Sequence, residues 1–193
     1  GTLTAIDQLS YGTAGVALGA GVGRIAQDMY ACPNFRTEQY DVFTHAGPGA
    51  AFRAPGNVQG AFALEQLIDE LAEKLKMDPL DLRDRIDESE VRRLERRQGA
   101  AKFGWTPRKP GADSGPVKRG IGVAQAHWPR IIELDSSATV RILRGGAVEV
   151  LSGVQDIGTG TKTIIAQVVA EELSLPAEAV TVKIGDTNYP NGP

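Results

Sequence analysis

The hydrophobic period of this chain changes once, and the change restricts the fold to few classes. From Val58 to Leu75 the apolar residues Ala61, Phe62, Leu64, Leu67, Ile68, Leu71 and Leu75 recur at spacings of three and four, which predicts an amphipathic helix. Asn57 stands where an N-cap is expected, and Asp78-Pro79 stops the helix. Pro79 then suits the first turn of a second short helix, Leu80 to Ile86. Asp87 to Phe103 reads as a third, charged helix in which Glu88 and Arg92 stand four apart. Its arginines 92, 93, 96 and 97 suit either an anion site or a solvated helix face, and the solvated face is the simpler reading.

After residue 118 the pattern becomes that of strands. Ile121 to Ala126, Ala138 to Leu143 and Ala147 to Leu151 read as strands, the last two turning through Arg144-Gly145-Gly146. A helix from Thr161 to Leu173 carries Ile164, Ile165, Val168, Val169 and Leu173 on one side, and Val180 to Ile184 is a further strand. Between the two regimes, Thr106 to Lys118 holds three prolines and two glycines. This predicts a domain of residues 1–106, a linker of 107–117 and a second domain of 118–193. The fold class expected is α+β, helices packed on mixed sheets.

Composition narrows the chemistry. A net charge of −3 over 193 residues provides no basic field for nucleic acid. No apolar run reaches the roughly 18–20 residues that span a bilayer. Cys32 is the sole cysteine, so an internal disulfide, a multi-thiolate zinc site and an iron–sulfur cluster are all excluded within these residues. His45 and His127 stand 82 positions apart without ligand spacing, and no metal site is expected. The opening Gly1-Thr2-Leu3-Thr4 has neither methionine nor signal peptide, and the last residues read as loop, as in a piece of a longer protein.

Glycine falls in three clusters: Gly12 to Gly23, Gly47 to Gly56, and Gly153 to Gly160. The first contains Gly19, Gly21 and Gly23, whose spacing does not match a dinucleotide fingerprint. The second holds one charge, Arg53, among small residues, placed either against a carboxylate or toward an anionic or carbonyl ligand. The third, Gln155-Asp156-Ile157-Gly158-Thr159-Gly160-Thr161-Lys162-Thr163, follows a strand and opens a helix. Its first-turn N–H groups and threonine hydroxyls suit an anion, and equally suit a plain threonine cap. It lacks the Lys-Ser or Lys-Thr of a P-loop.

Taken together, Phe52-Arg53-Ala54-Pro55-Gly56, Gly60 to Glu65 and Val154 to Thr161 resemble the large, molybdenum-binding subunit of the xanthine dehydrogenase and aldehyde oxidase family. Val91 to Arg97, Phe103-Gly104-Trp105, Lys118 to Gly122 and Ile184 to Thr187 are similar to its bacterial aldehyde-dehydrogenase-type branch. The resemblance covers essentially the whole chain. It implies parts of two adjoining molybdopterin-binding domains and a molybdopterin dinucleotide, in its cytosine form, with molybdenum. It implies hydroxylation of aldehydes or N-heterocycles with oxygen from water. Electrons would pass to iron–sulfur clusters and FAD on other domains or subunits.

By the same resemblance Phe52, Arg53 and Ala54 lie beside the molybdenum centre, and Gly158, Thr159, Gly160 and Thr161 touch the phosphate or pterin side of the cofactor. Trp128 lines the substrate channel, where it stacks on a planar substrate or else packs in the core. Pro55 replaces a second channel aromatic, so a two-ring clamp is not expected. The glutamate that serves the family as general base falls beyond Pro193, and an upstream glutamine falls before Gly1. Glu65, Asp156 and Asp186 do not take that role, so no catalytic residue is expected here and the piece should not turn over alone. The alternative reading is a non-catalytic α+β interaction module with a glycine-rich, anion-binding helix start.

Overall fold

The computed structural model describes residues 2–107, 111, 113–129 and 132–192. It divides into two compact units, Gly1–Pro129 and Arg130–Pro193.

The first unit opens with two strands, β1 (Ile6–Gly12) and β2 (Phe35–Asp41), joined through the short helix α1 (Arg24–Met29). The strands are parallel, with Ile6 opposite Phe35 and Gly12 opposite Asp41. A parallel pair requires such a crossover, because a tight turn cannot reverse the chain twice. Three helices follow: α2 (Asn57–Lys74), α3 (Pro79–Ile86) and α4 (Glu90–Phe103). Asp78 caps α3 by accepting from Leu80 N at 2.7 Å, with Pro79 in the first turn. Ser89 caps α4 by accepting from Arg92 N at 3.3 Å, and Gly104 ends it in the left-handed region.

Ile25, Met29 and Tyr30 pack against Ala61 and Ile68 of α2 and Leu82 of α3 to form the core of this unit. The buried stripe of α2 also contains Glu65, while Phe62 and Leu67, expected on the apolar face, are exposed. Asn57 does not cap α2. Gly56 stands at the cap, and the Asn57 side chain bonds elsewhere.

The second unit is a three-stranded sheet in the order β3-β4-β5, covered by α5. β3 (Thr139–Ile142) and β4 (Val148–Ser152) form the expected hairpin, with Gly146 at φ 81 in its turn. α5 (Thr161–Leu173) crosses over to β5 (Val180–Ile184), which runs parallel to β4. Val148, Val150 and Val180 of the sheet meet Ala170, Ile165 and Val169 of α5. Ile164 and Val168, expected on the same face, point outward. Among the described residues no helix is long and apolar enough to cross a membrane.

Residues 121–126, expected as a strand, form no ladder among the described residues. They lie extended on the first unit, held by side chains of its helices. The compact units therefore meet between Pro129 and Arg130, beyond the glycine- and proline-rich 107–117 segment.

Candidate functional site

The Phe52–Pro55 loop rests on the first glycine cluster. Ala54 and Gly56 both have positive φ, 61° and 81°, and Asn57 N closes the turn on Ala54 O at 3.2 Å. A Cβ on Gly56 would strike the carbonyl of Gly21, and one on Gly60 would strike that of Val22. Both substitutions are blocked by backbone that cannot move aside. Gly19 and Gly23 thus serve close packing: behind Gly19 lies Asp41, and behind Gly23 lies Thr37, while a Cβ on Gly21 would meet nothing within 4 Å. On this bed Arg53 and Pro55 are exposed and Phe52 is 87% exposed, at the N-terminal end of α2.

The extended 121–128 segment comes to the same end of α2. Val123 O accepts from Arg83 Nη2 at 3.1 Å, Gln125 N donates to Glu65 Oε2 at 2.8 Å, and His127 O accepts from Asn57 Nδ2 at 2.9 Å. These alternate positions face the helices, and Trp128, which follows, is half exposed. Trp128 is therefore not a core residue.

Beneath this surface lies a buried polar network. Tyr30 Oη donates to Glu65 Oε1 at 2.6 Å, and Arg83 Nε donates to Glu65 Oε2 at 2.9 Å. Gln125 Nε2 donates to Tyr30 Oη at 3.0 Å, and Arg96 Nη1 donates to both Gln125 Oε1 and Asp87 Oδ2 at 2.6 Å. Burial, reinforced by the Glu65 carboxylate, pushes the Tyr30 hydroxyl far above its ordinary range. Burial also works against ionisation of Asp87, but donors from Arg92, Ser89 and Arg96 outweigh it and hold that carboxyl well below its ordinary range.

The arginine-rich face of α4 is thus solvated only in part: Arg97 is exposed, while Arg92, Arg93 and Arg96 bond to groups behind the helix. Arg96 is buried against Asp84 and Asp87, and Arg92 bonds Asp87 rather than the Glu88 expected from spacing. Burial of Arg96 is tolerable because its guanidinium is paired with Asp84 and Asp87 and bonded to Gln125. Sequence reasoning considered Glu65 only to set it aside as a general base and missed Arg83 and Gln125, and no local pattern marks this network.

In the second unit the turn between β4 and α5 is organised by Asp156. Its Oδ1 accepts from the backbone N–H of Gly158 at 2.9 Å, Thr159 at 3.0 Å and Gly160 at 3.2 Å. Its Oδ2 accepts from Lys162 N at 3.4 Å. Neither expected arrangement is found: the amides do not face outward, and no threonine caps the helix. Gly160 is the cap residue, without a side-chain bond. Thr159 Oγ1 and Thr161 Oγ1 lie 3.3 Å apart on the outer side. An aspartate two residues before a glycine is the signal that marks such a turn. Among the described residues no three His, Cys, Asp or Glu side chains form a metal-binding group.

A family model described as a molybdopterin cofactor-binding domain matches residues 1–86, and a second of the same description matches 95–192. The chain belongs to the molybdopterin cofactor-binding family. The first match contains the Phe52–Pro55 loop, and the second contains Trp128 and the Asp156–Thr161 turn.

This molybdopterin cofactor-binding chain is 43% identical over 159 residues to the aldehyde oxidoreductase molybdenum-binding subunit PaoC of Escherichia coli O157:H7, covering 74% of the chain and 21% of PaoC. It is 29% identical over 161 residues to the xanthine dehydrogenase molybdenum-binding subunit of the same organism, covering 72% of the chain and 21% of that subunit. The chain thus spans about a fifth of the length of these relatives, both named as molybdenum-binding subunits of oxidoreductases. Its fold matches the aldehyde oxidoreductase of Desulfovibrio desulfuricans with a TM-score of 0.65 and 23% identity, covering 98% of the chain and 24% of that protein.

Proposed function

We propose that the chain forms part of the large subunit of a molybdenum hydroxylase, holding a molybdopterin dinucleotide in its cytosine form. The whole subunit would oxidise aldehydes or N-heterocycles with oxygen drawn from water. The observation that carries this reading is the tandem match to two molybdopterin cofactor-binding domains, with the Phe52–Pro55 loop in the first and the Gly158–Thr161 turn in the second. The 43% identity to an aldehyde oxidoreductase subunit favours an aldehyde substrate.

The donor chemistry of the first unit suits the group. Arg53 stands exposed in a loop of small residues, and its planar guanidinium is built for paired hydrogen bonds to carbonyl or anionic oxygens. Phe52 and Ala54 shape the loop around it, and Trp128 and Pro55 line the approach of the substrate. In the second unit Thr159 and Thr161 offer hydroxyls. The bound cofactor supplies the redox chemistry, and the protein supplies orientation and electrostatics.

No residue of this chain takes the role of general base, which a glutamate elsewhere in the subunit supplies. Iron–sulfur clusters and FAD sit on other domains or subunits, in keeping with a single cysteine. The sequence-family partition proposed is 1–106 and 118–193, joined through 107–117, with residues 118–129 of the second part packed into the first compact unit. The chain alone therefore has negligible oxidase activity and weak cofactor affinity.

The test is to purify the complete subunit with its natural partners, measure molybdenum and the nucleotide released by acid hydrolysis, and assay aldehyde and N-heterocycle oxidation. Stoichiometric molybdenum, released cytidine nucleotide and aldehyde turnover are expected. A folded complex that acquires no molybdenum in a cofactor-competent host would overturn the reading. Micromolar or tighter cofactor binding by the chain alone would overturn the claim of weak affinity.

A further inference from the structure

Residues 121–127 lie extended but pair with no strand among the described residues, so the ladder that ordinarily fixes a strand's register does not act on them. Their alternation is nevertheless strict. Ile121, Val123, Gln125 and His127 are half-buried, while Gly122, Ala124 and Ala126 are exposed. Val123, Gln125 and His127 are also the residues whose backbone groups bond to Arg83, Glu65 and Asn57. Those bonds use main-chain atoms that every neighbour also carries. A chain slid by one residue could make them too, because Gly122, Ala124 and Ala126 have little bulk to resist turning inward. In an extended chain such a slip turns every side chain to the opposite face. It would take Trp128, now half exposed, to the inner side.

The Gln125 side chain supplies what the backbone does not. Its carbonyl accepts from Arg96 Nη1 at 2.6 Å, and its amide group donates to Tyr30 Oη at 3.0 Å and Asp87 Oδ2 at 3.2 Å. Each partner dictates one end of the amide. A guanidinium only donates, and the ionised Asp87 carboxylate only accepts. Burial and the Glu65 carboxylate keep the Tyr30 hydroxyl protonated, and it donates to Glu65 Oε1 at 2.6 Å, so its oxygen is left as an acceptor. Together they require an acceptor and two donors side by side. A primary amide has both, a carboxylate has no donor, and the neighbouring alanines have neither.

We propose that Gln125 is the positioning residue that sets the register of residues 121–128 and so turns Trp128 outward at the N-terminal end of α2. A slip by one residue would bring Ala124 or Ala126 against Tyr30, Asp87 and Arg96 and leave their buried polar atoms short of partners, which opposes it. Gln125 acts on Trp128 only through the backbone between them. One consequence rests on the cofactor reading above: in the complete subunit Gln125 shapes recognition of a planar substrate by aiming the indole that stacks on it.

The register is read from amide hydrogen exchange in the 15N-labelled full chain. In the wild type the amide of Gln125, bonded to buried Glu65, should exchange at least about tenfold more slowly than those of Ala124 and Ala126. In Gln125→Met, which keeps the length and loses the amide, that contrast should fall to about twofold or less while the amides of α2 keep their rates. A contrast that survives in this variant would overturn the proposal. So would a loss shared equally by the amides of α2, which is what a residue that only stabilises the unit would give. If Gln125→Met does not fold, Gln125→Glu decides by the same two readings, since it lacks the donors and brings a second carboxylate toward Asp87. Unfolding of both variants would overturn the proposal. In the complete subunit, Gln125→Met should raise KM for a planar aromatic aldehyde at least about threefold, and should add nothing once Trp128→Ala has removed the residue it acts through. An unchanged KM, or an equal rise in the Trp128→Ala background, would overturn the action through Trp128. If the subunit acquires no molybdenum, the cofactor reading fails, and the exchange contrast still decides the register.

Discussion

Asn57 donates its side-chain amide to the carbonyl of His127 at 2.9 Å, across 70 residues of sequence. The bond ties the segment bearing Trp128 to the first residue of the helix that the Phe52–Pro55 loop enters. Asn57 is buried, so removing its donor strands the His127 carbonyl. Asn57→Ala should cost about 1–3 kcal/mol of stability. Urea unfolding followed by tryptophan fluorescence measures this, and an unchanged midpoint would refute the role.

Arg83 is wholly buried and pairs with Glu65 at 2.9 Å and Asp69 at 2.7 Å. Arg83→Met leaves the Glu65 carboxylate buried without its cation. Breaking such a pair costs about 3–5 kcal/mol. Adding Glu65→Leu should recover part of the loss, because the second change removes the orphaned charge. A double variant whose loss equals the sum of the two single losses would show that the pair is not coupled.

Acid should destabilise the first unit through Asp87. Its carboxyl is depressed in the folded chain and ordinary in the unfolded chain, so the unfolded chain binds the proton first. The stabilisation is complete above the ordinary aspartate range near 3.8 and is lost as pH falls below it toward the depressed folded value. Unfolding midpoints measured between neutral pH and pH of about 2 should fall in that window, and Asp87→Asn should flatten the dependence. A variant with the wild-type pH profile would remove Asp87 as the cause.

Gly56 is required twice, by a φ of 81° and by the Gly21 carbonyl behind it. Gly56→Ala should destabilise by more than the about 1 kcal/mol of left-handed strain alone, because the clash adds to it. Thermal unfolding checks this. Gly145→Ala makes a comparison, since a Cβ there meets nothing within 4 Å.

Arg53 is proposed to act through its forked guanidinium, so charge alone should not replace it. In the complete subunit, Arg53→Lys should weaken cofactor retention by about 1.5–3 kcal/mol. Molybdenum content after dialysis measures this, and full retention in the lysine variant would show that the fork is dispensable.

Much of the candidate site was legible because its signals are local. The small-residue loop around Arg53 and the Asp-x-Gly-x-Gly run both stand out in the sequence, and both form turns with positive-φ residues. Their occupancy was not legible. Asp156 takes the amides that the sequence seemed to leave open, and Asn57 leaves its capping position for His127. Each choice depends on which acceptor lies within reach once the backbone has turned.

The sequence by itself determined α2 to α4, the β3–β4 hairpin, α5 and β5, because period, caps and prolines act over a few residues. Tertiary structure alone decided the parallel pairing of β1 with β2, whose partners lie 29 residues apart in register. It also decided that the strand-like 121–127 segment bonds to Arg83, Glu65 and Asn57 rather than to another strand, and that Arg96 is buried. In each case a polar group leaving water had to find a partner. Which partner it found was set by chain brought close in space, and no pattern of neighbouring residues encodes that.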